Sequence, residues 1–573
     1  MCGPRPISRI AIVLATMWIG TASAQDFDDA LAIVPPDALG IIAIPSLEVL
    51  NNDITDLLDR SGRSEAVLAG RPIDLMASQI GFSAAFDDKG TFVAWWAGAG
   101  EDEMLVFAVP VADSARFLAA NLTRDEAEGV DAWRWGSGEL VYARDLGSHV
   151  LLSANRDLVK TYDAGGGLKP TLEADLGAVG LALLADADIA IWAGKRGLEE
   201  MTARGAVGAS DALGEDEREG LDKEFIQSVM DRMSLLGEGV EQVAVGVDFD
   251  ALALALRVYA QFDPASDLGV ATVGGESSLK GPLLSQLPAN PYYVALGVDV
   301  QGIGGIGRFI DLAKLASIDD LQLPGWLGDM GASMKGVQFA AYPSKLGLAM
   351  GGVLNDSSLV IETSEPLMAK SLLEASIKGA NGPEGMIRRT TSWTSNSALR
   401  DGLVADVFTM KTELRPKNER PEGARSGDFA MQNMINGLIF GSRGMQGLAK
   451  ATDDALIVTF SRRPDVMERA IEAASSDIGL NDDPVISAMR GWMIESPDIE
   501  VFLDAGRLGS LVSQMMKIIP GSEQMTIPFP EQMPPVGFSL GVNASTLEMA
   551  LIVPSEVVGV AIGAGMQQVM QAP

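Results

Sequence analysis

The sequence predicts an α+β fold of two tandem related modules, each a mostly antiparallel sheet with helices packed on one face. Three observations lead to this prediction. A unit of strand, tight turn and helix recurs along the chain, and other apolar strand patterns recur in the same order in both halves. Strand patterns also outnumber helical ones, and the connections between them are short, which favours antiparallel pairing.

The recurring unit is clearest at residues 498–508, DIEVFLDAGRL, which a helical pattern follows to Met515. Residues 188–198, DIAIWAGKRGL, repeat the aspartate, the apolar run and the Ala-Gly turn in the same order. Two further stretches, 41–58 and 290–312, also place an apolar strand before residues at helical spacing. The unit therefore occurs four times, which indicates an internal duplication.

Two more patterns pair across the chain. The strand that runs into a helix at 149–159 resembles 455–467. The alternating pattern at 243–256 resembles 536–551, and each is typical of a β-hairpin. Both halves therefore have the same order of patterns: an opening unit, a strand that runs into a helix, a second unit and a hairpin.

The spacing of these patterns agrees as well. Roughly forty residues separate Leu152 from Ile189 and also Val458 from Ile499, as a repeated module requires. We therefore predict three segments: a signal peptide at 1–24, a first module at 25–280 and a second module at 281–573. The second half is longer between its opening unit and its strand, and we assign this length to insertions around 324–326 and 415–421.

The remaining predicted elements complete the two sheets. Further strands are predicted at 91–97, 104–110, 139–144, 337–342, 346–353 and 359–363, and helices with long apolar faces at 225–236 and 429–448. The acidic segments 26–29 and 214–219 are predicted to be a solvated tail and a solvated loop.

The first residues have the pattern of a secretory signal peptide. Arg5 and Arg9 precede the apolar run 10–19, and an Ala-x-Ala site ends at Ala24. We expect cleavage after Ala24 and a bacterial protein that is secreted to the periplasm or outside the cell. The apolar run is too short for a membrane span, and nothing after Gln25 is long and apolar enough for an integral one.

Composition excludes several classes of function. The formal net charge of −34 predicts an acidic protein that binds no nucleic acid. The single cysteine, Cys2, lies in the signal peptide, which leaves no disulfide, thiolate metal site or cysteine nucleophile. The single histidine, His149, excludes zinc sites of several histidines and is predicted to be structural. We therefore predict no catalytic residue, no metal site and no cofactor.

Some short motifs match known sites by pattern alone. Residues 302–307, GIGGIG, have the spacing of a dinucleotide-binding loop, but the sister units lack these glycines and we predict a turn. Residues 537–541, GFSLG, match a nucleophile elbow, but the serine lies inside an alternating strand and the only histidine precedes it. Residues 277–280, SSLK, lack the companion motifs of a serine β-lactamase. The tryptophans at 95–96 and within 133–135 are predicted to pack in the core and at its rim.

Three stretches carry a resemblance to a known group. They are 34–41, VPPDALGI, 109–118, VPVADSARFL, and 151–155, LLSAN. They resemble large exported bacterial proteins of unknown function that are common in planctomycetes and similar to the DUF3352 group. The resemblance implies an exported, non-catalytic α+β protein, and it carries over no catalytic residue.

We expect an exported, soluble envelope protein that binds a partner or has a structural role and catalyses no reaction. Its partner is expected to be another envelope protein or a hydrophobic ligand. One alternative is a carrier that encloses a lipid or another hydrophobic ligand, consistent with the mean hydropathy of +0.18. Another is a hydrolase that uses two facing carboxylates, which a chain with 77 acidic residues can supply.

Overall fold

The computed structural model describes residues 24–63, 85–97, 105–135, 138–200, 239–315, 325–345, 347, 351–384, 387–416, 419, 437–441, 444–476, 479–516, 530 and 533–571. Residues 1–23 of the predicted signal peptide, the predicted loop at 214–219 and the predicted helix at 225–236 lie outside these residues. The chain divides into two compact units: a first unit of residues 1–270 and 545–573, and a second unit of residues 271–544. The sequence-based division between 280 and 281 did not include the return of the C-terminal segment to the first unit.

The described strands are, in chain order, β1 Gly40–Ile44, β2 Phe92–Trp96, β3 Leu105–Pro110, β4 Thr123–Arg124, β5 Ala132–Arg134, β6 Leu140–Asp145, β7 His149–Ser153, β8 Ile189–Gly194, β9 Val240–Phe249, β10 Ala253–Phe262, β11 Val294–Asp299, β12 Met334–Ala341, β13 Ser358–Thr363, β14 Gly382–Glu384, β15 Ile387–Ala398, β16 Val404–Leu414, β17 Met445–Ala451, β18 Ala455–Thr459, β19 Ile499–Leu503, β20 Val536–Asn543 and β21 Thr546–Pro554.

The described α-helices are α1 Ala24–Ile33, α2 Leu47–Arg60, α3 Ser114–Asn121, α4 Arg156–Thr161, α5 Lys169–Asp186, α6 Asp267–Ala271, α7 Ile306–Leu315, α8 Gly325–Asp329, α9 Pro366–Gly379, α10 Pro464–Ser475, α11 Pro484–Arg490, α12 Ala505–Met516 and α13 Ser555–Gln571. Short 3-10 helices occur at Gly331–Ser333, Arg400–Gly402 and Leu480–Asp482. Strands and helices therefore share the chain, and the fold class is α+β.

The sheet of the first unit is antiparallel throughout its described strands. Its order is β4-β5-β6-β7-β3-β2-β1-β8-β9-β10-β21. β9 and β10 form the hairpin predicted at 243–256, with a turn in which the Asp250 N–H donates to the Ala253 carbonyl at 2.9 Å. The final strand, β21, pairs with β10, so the end of the chain completes this sheet. The hairpin predicted at 536–551 is therefore wrong, because β20 pairs with β19 in the second unit and β21 with β10 in the first.

Helices cover both faces of this sheet, so the prediction of helices on one face is wrong for the first unit. Alternate strand residues such as Ile42 and Phe107 form one core with α2 and α3. The intervening residues, such as Ile41 and Trp95, form a second core with α1 and α5. The physical reason is visible in β1, whose five residues are all buried, as continuous apolar strands with two covered faces are.

The local sequence explains where the helices of the first unit begin. α2 starts after Ser46, whose hydroxyl accepts a hydrogen bond from the Val49 N–H at 3.3 Å. Its buried residues recur three or four positions apart and face the core: Leu47, Leu50, Ile54 and Leu57. α4 starts after Asn155, whose side-chain oxygen accepts from the Asp157 N–H at 2.9 Å.

The sheet of the second unit is also antiparallel in its described strands. Its order is β14-β15-β16-β17-β18-β13-β12-β11-β19-β20. Between the strands, α7 follows β11, α9 follows β13, α10 follows β18 and α12 follows β19. The strand–turn–helix units predicted at 290–312 and 498–508 are therefore β11 with α7 and β19 with α12.

Three further local predictions are wrong. The strand predicted at 346–353 is not formed, because residues 347 and 351 are helical and 352–356 form turns. The helix predicted at 429–448 ends before β17, whose pairing with β16 and β18 takes up residues 445–448, while residues 429–436 lie outside the description. The acidic segment 26–29 is part of α1 and not a solvated tail, because Phe27 is fully buried in the core.

Candidate ligand-binding site

The second unit contains a cavity of about 260 Å³ at one end of its sheet. β12, β18 and β19 end there and β11 and β13 begin there, because neighbouring strands are antiparallel. The wall combines Pro291, which precedes β11, with Tyr342 after β12 and Ser358 at the start of β13. Val466 in α10 and Arg507 in α12 complete it from the helices. We call this space the basic cavity.

Cationic side chains dominate the wall of the basic cavity. Lys345, Arg463, Arg469 and Arg507 line it, and the wall contains a single carboxylate, Asp356. The whole chain has 77 acidic residues against 43 lysines and arginines. The local balance of charge is therefore the reverse of that in the rest of the protein.

Two of the arginines are held by carboxylates next to the cavity. Arg463 donates from Nε to Oδ1 of Asp465 at 3.1 Å and from Nη2 to Oδ2 at 2.5 Å, and its Nη1 lies 3.4 Å from Oδ2 of Asp356. Arg469 donates from Nε to the main-chain oxygen of Asp465 at 3.1 Å. All three nitrogens of the Arg463 guanidinium are thus in use, which fixes its position and that of Asp356.

Other donors in the wall have no protein partner within the described part of the chain. Arg507 donates from Nε to Oδ2 of Asp504 at 2.7 Å, which orients the guanidinium, but neither Nη atom makes a hydrogen bond or an ion pair there. The Nζ atom of Lys345 also makes none, although its main-chain N–H donates to Asp356 at 3.2 Å. These groups can donate to a bound molecule.

The positive charge of the cavity acts on the pKa values of the ionisable groups around it. Burial acts to raise the pKa of Asp465, but the hydrogen bonds from Arg463 and the charges of Arg463, Arg469 and Lys345 outweigh it and lower the pKa. Burial raises the pKa of Tyr342, although the charge of Arg469 opposes this effect. The Tyr342 hydroxyl therefore stays protonated, and it donates to the Pro288 carbonyl at 2.9 Å.

A buried hydroxyl is also part of the wall. Ser358 is fully buried, and its Oγ makes no hydrogen bond among the described residues. A buried hydroxyl without a partner is unfavourable by roughly 1–3 kcal/mol.

A second cavity of about 360 Å³ in the same unit is polar but lacks this concentration of charge. Lys280 is its cationic residue, and its Nζ forms an ion pair with Asp454. A chain of buried hydrogen bonds runs beside it, from the Gln286 N–H to Gln338 at 3.0 Å and from Gln338 to Glu362 at 3.1 Å. Burial raises the pKa of Glu362. These side chains satisfy each other, as expected of a structural network.

The glycines at 302–307 form the turn between β11 and α7. The Gly302 N–H donates to Oδ1 of Asp299 at 2.8 Å, and a side chain at position 302 would collide with Asp498. Gly304 and Gly305 have φ of +94° and +109°, which favours glycine. The turn therefore packs on two aspartates, and a pyrophosphate would meet their negative charge there.

The two aspartates below this turn, Asp299 and Asp498, lie close to each other. The Asp299 N–H donates to the Asp498 carbonyl oxygen at 2.7 Å. Burial, assisted by the like charge of Asp299, raises the pKa of Asp498 to about 6. Neither residue lines either of the two cavities described above.

The other sequence motifs have structural roles. Ser539 lies fully buried in β20, where its hydroxyl accepts from the Ile494 N–H at 3.2 Å. His149 donates from Nε2 to the Thr91 carbonyl at 2.9 Å, and burial lowers its pKa. Ser277 accepts from the Leu279 N–H at 3.5 Å. Of the tryptophans, Trp95, Trp96, Trp133 and Trp135 all belong to or pack against the cores of the first unit.

The basic cavity does not follow from the sequence patterns. Its charged residues follow predicted strands: Lys345 comes after 337–342, Arg463 after 455–459 and Arg507 after 498–503. The signal that could have revealed them is this repeated placement of cations at strand ends in an acidic chain. Their convergence depends on the strand order, which one sequence does not contain.

Comparisons with known proteins add no relative. No family model matches the chain, and neither a curated protein nor a solved structure matches it. Among the described residues, none of the helices is long and apolar enough to cross a membrane.

Proposed function

We propose that this chain is an exported, non-catalytic binding protein whose ligand site is the basic cavity. The observation that carries the proposal is the reversal of charge in the wall, where four cationic side chains face one carboxylate in a chain of net charge −34. Two of these cations keep donors that no described residue uses. Lys345 is exposed and the Arg507 side chain is 38% exposed, so a ligand entering the cavity can reach these donors.

The same observations weigh against the two alternatives. A lipid carrier needs a wall of methionine and leucine, and neither residue lines the two cavities described. A carboxylate-dependent hydrolase needs two facing acids, and neither of these cavities contains two carboxylates. We therefore favour binding of a polar molecule over both.

The proposal includes an origin of the two units by duplication. Support comes from the strand orders, because β6-β7-β3-β2-β1-β8-β9 in the first unit corresponds to β17-β18-β13-β12-β11-β19-β20 in the second. Helices occupy equivalent connections in both units, with α2, α3 and α4 matching α7, α9 and α10. An antiparallel sheet of this length has many possible orders, so the agreement supports a common ancestor.

Matched hydrogen bonds give further support. The Asp188 N–H donates to the Val247 carbonyl at 3.2 Å, and the Phe249 N–H donates to Oδ2 of Asp188 at 3.2 Å. In the second unit the Asp498 N–H donates to the Leu540 carbonyl at 2.9 Å, and the Val542 N–H donates to Oδ2 of Asp498 at 2.8 Å. The aspartate that opens each repeated unit thus binds the neighbouring strand in the same way.

The extra length of the second half falls in one connection. Between β13 and β18 the second unit has four strands, β14 to β17, where the first unit has three between β3 and β7, and β15 and β16 are the longest of the four. The segment 415–421 follows β16. The connection from β11 to β12, which contains 324–326, is shorter than that from β1 to β2. The insertion assigned to 324–326 is therefore not supported by these bounds, and that assigned to 415–421 lies in the longer connection.

The correspondence extends to the register of the strands. Ile41 pairs with Trp95 in the first unit, and the equivalent Ala295 pairs with Ala340 in the second. Trp95 is 1% exposed and packs on Tyr162 with ring centroids 5.9 Å apart. The equivalent Ala340 is also fully buried, and it is the direct partner of Ser358 in the cavity wall.

The test is native mass spectrometry of the mature chain, residues 25–573, purified from the envelope fraction of its host. We expect a mass excess on the wild type and none on Asn290→Trp, which enlarges a half-buried side chain of the cavity wall. Val512→Phe, on a residue of the second unit that is 53% exposed and not part of the wall, is the control and should retain the ligand. A mass excess that Asn290→Trp retains in full, or a wild type that carries none, would contradict the proposal.

Export belongs to the same proposal. N-terminal sequencing of the purified protein should begin at Gln25, and an intact Met1 would contradict it. The similarity to exported bacterial proteins of unknown function rests on the stretches quoted above and is in keeping with a binding role.

A further inference from the structure

We infer that the ligand of the basic cavity is a small oxyanion, a molecule with a carboxylate or phosphate group that Arg507 and Lys345 bind directly. This inference rests on the proposed function and adds the chemical class of the ligand. It follows from the donors that remain available, from the state of the one carboxylate in the wall, and from the volume of the cavity.

The available donors match an oxyanion. The bond from Nε of Arg507 to Asp504 at 2.7 Å holds the guanidinium plane and leaves both Nη atoms without a partner among the described residues. A guanidinium edge oriented in this way binds two oxygens of a carboxylate or phosphate side by side. Lys345 adds an exposed ammonium with three donors to the same cavity.

The one carboxylate in the wall is already engaged. Oδ2 of Asp356 accepts from the Lys345 N–H at 3.2 Å and lies 3.4 Å from Nη1 of Arg463. Asp356 is 7% exposed, so little of it can reach a bound cation. The group that would favour a cationic ligand is therefore neutralised by the protein itself.

The volume limits the size of the anion. A cavity of about 260 Å³ lies just below the range of roughly 300–1,000 Å³ that is usual for drug-sized ligands. It holds about nine water molecules at ~30 Å³ each, which fits a phosphate ester or a short di- or tricarboxylate.

The experiment is calorimetric titration of the mature chain with inorganic phosphate, succinate, citrate and the uncharged control glycerol, at constant ionic strength. We expect binding of at least one anion and none of glycerol. Arg507→Gln should weaken that binding about ten- to hundredfold, since it removes charge-assisted hydrogen bonds. Arg507→Lys keeps the charge but loses the two parallel donors of the guanidinium. Its affinity for the anion should lie between that of the wild type and that of Arg507→Gln.

Arg462→Gln is the matched control, because Arg462 is exposed, adjoins Arg463 in sequence and is not part of the cavity wall. It should bind the anion as the wild type does. Equal weakening by Arg462→Gln and Arg507→Gln would indicate general screening of charge and would overturn the inference. Unfolding curves of each variant establish that the second unit is intact.

Failure of the inference can be separated from failure of the proposed function. If none of the anions binds while native mass spectrometry finds an uncharged ligand that Asn290→Trp excludes, the cavity is a binding site and only the oxyanion assignment is wrong. If the anions do not bind and no ligand is found at all, both are wrong. If an anion binds and Arg507→Gln abolishes it selectively, both are supported.

Discussion

Removing the arginine of a buried ion pair in the second unit should destabilise that unit strongly. Arg490, the last residue of α11, donates to Glu500 of β19 from Nε at 2.8 Å and from Nη2 at 2.5 Å. Glu500 is 3% exposed, and its strand neighbours are Gly297 and Ser539, which leave room for the guanidinium. Arg490 also donates to the Leu283 carbonyl at 2.8 Å, so it joins three segments.

The magnitude follows from the burial of Glu500. Arg490→Met keeps most of the side-chain volume and leaves a buried carboxylate without its cation, which costs about 3–5 kcal/mol. Glu500→Gln leaves Arg490, whose side chain is 24% exposed and can still reach water, so the loss should be only about 1–2 kcal/mol. The double variant Arg490→Met with Glu500→Met removes both charges and should be more stable than Arg490→Met alone.

Hydrogen exchange followed by mass spectrometry measures this loss of stability, and the first unit serves as the internal control. The amides of β19 and β20 report opening of the second unit, and those of β1 and β8 report the first. A loss of 3–5 kcal/mol corresponds to exchange at least about a hundredfold faster in β19. The strands of the first unit should exchange at the wild-type rate.

Two results would refute the reasoning. The first is an increase of less than about tenfold in the exchange of β19 in Arg490→Met. The second is a double variant that is no more stable than Arg490→Met, which would mean that the loss of packing outweighs the unpaired charge.

Three further predictions concern pH and packing. The pKa of Asp498 is raised to about 6 from its ordinary 3.8, so its ionisation destabilises the folded state as pH rises from 3.8 to 6. In urea unfolding, Asp498→Asn should therefore be more stable than the wild type at pH 8, and the difference should be gone below pH 4. Burial lowers the pKa of His149 from 6.5, so its contribution to stability is present above pH 6.5 and is lost as pH falls through its pKa in the folded state. NMR titration of this single imidazole should give a midpoint below 6.5, and a midpoint above 6.5 would contradict the prediction. Trp95→Ala should destabilise the first unit by about 3–5 kcal/mol and accelerate exchange in β1 and β2, whereas unchanged exchange there would show that the core tolerates the loss.

Much of the secondary structure could be predicted because local patterns decide it. Apolar runs or strict alternation predict the strands β1, β7, β8 and β9. The helices that follow β1 and β7 begin after Ser46 and Asn155, whose side chains cap the first turn. The single cysteine and the single histidine could exclude whole classes of site because composition does not depend on the fold.

Where the local pattern suits both a helix and a strand, pairing with the neighbouring strands decides which of the two forms. Residues 445–448 have apolar spacing that suits a helix, but β16 and β18 flank them and their main-chain groups complete both pairings. Gly447 fits there because a side chain would strike Phe408 and the Thr459 carbonyl. In the same way, only packing shows that Phe27 anchors an acidic helix in the core.

The sequence alone determined the α+β class and most of the strand positions, because these depend on residues within a few positions of each other. Only the tertiary structure decided which strands are neighbours, that helices cover both faces of the first sheet, and that the basic cavity exists. Lys345, Arg463 and Arg507 are far apart along the chain, and they meet because antiparallel pairing brings the ends of β12, β18 and β19 to one end of the sheet. A cavity made from strand ends is a property of strand order, and strand order is set by long-range packing.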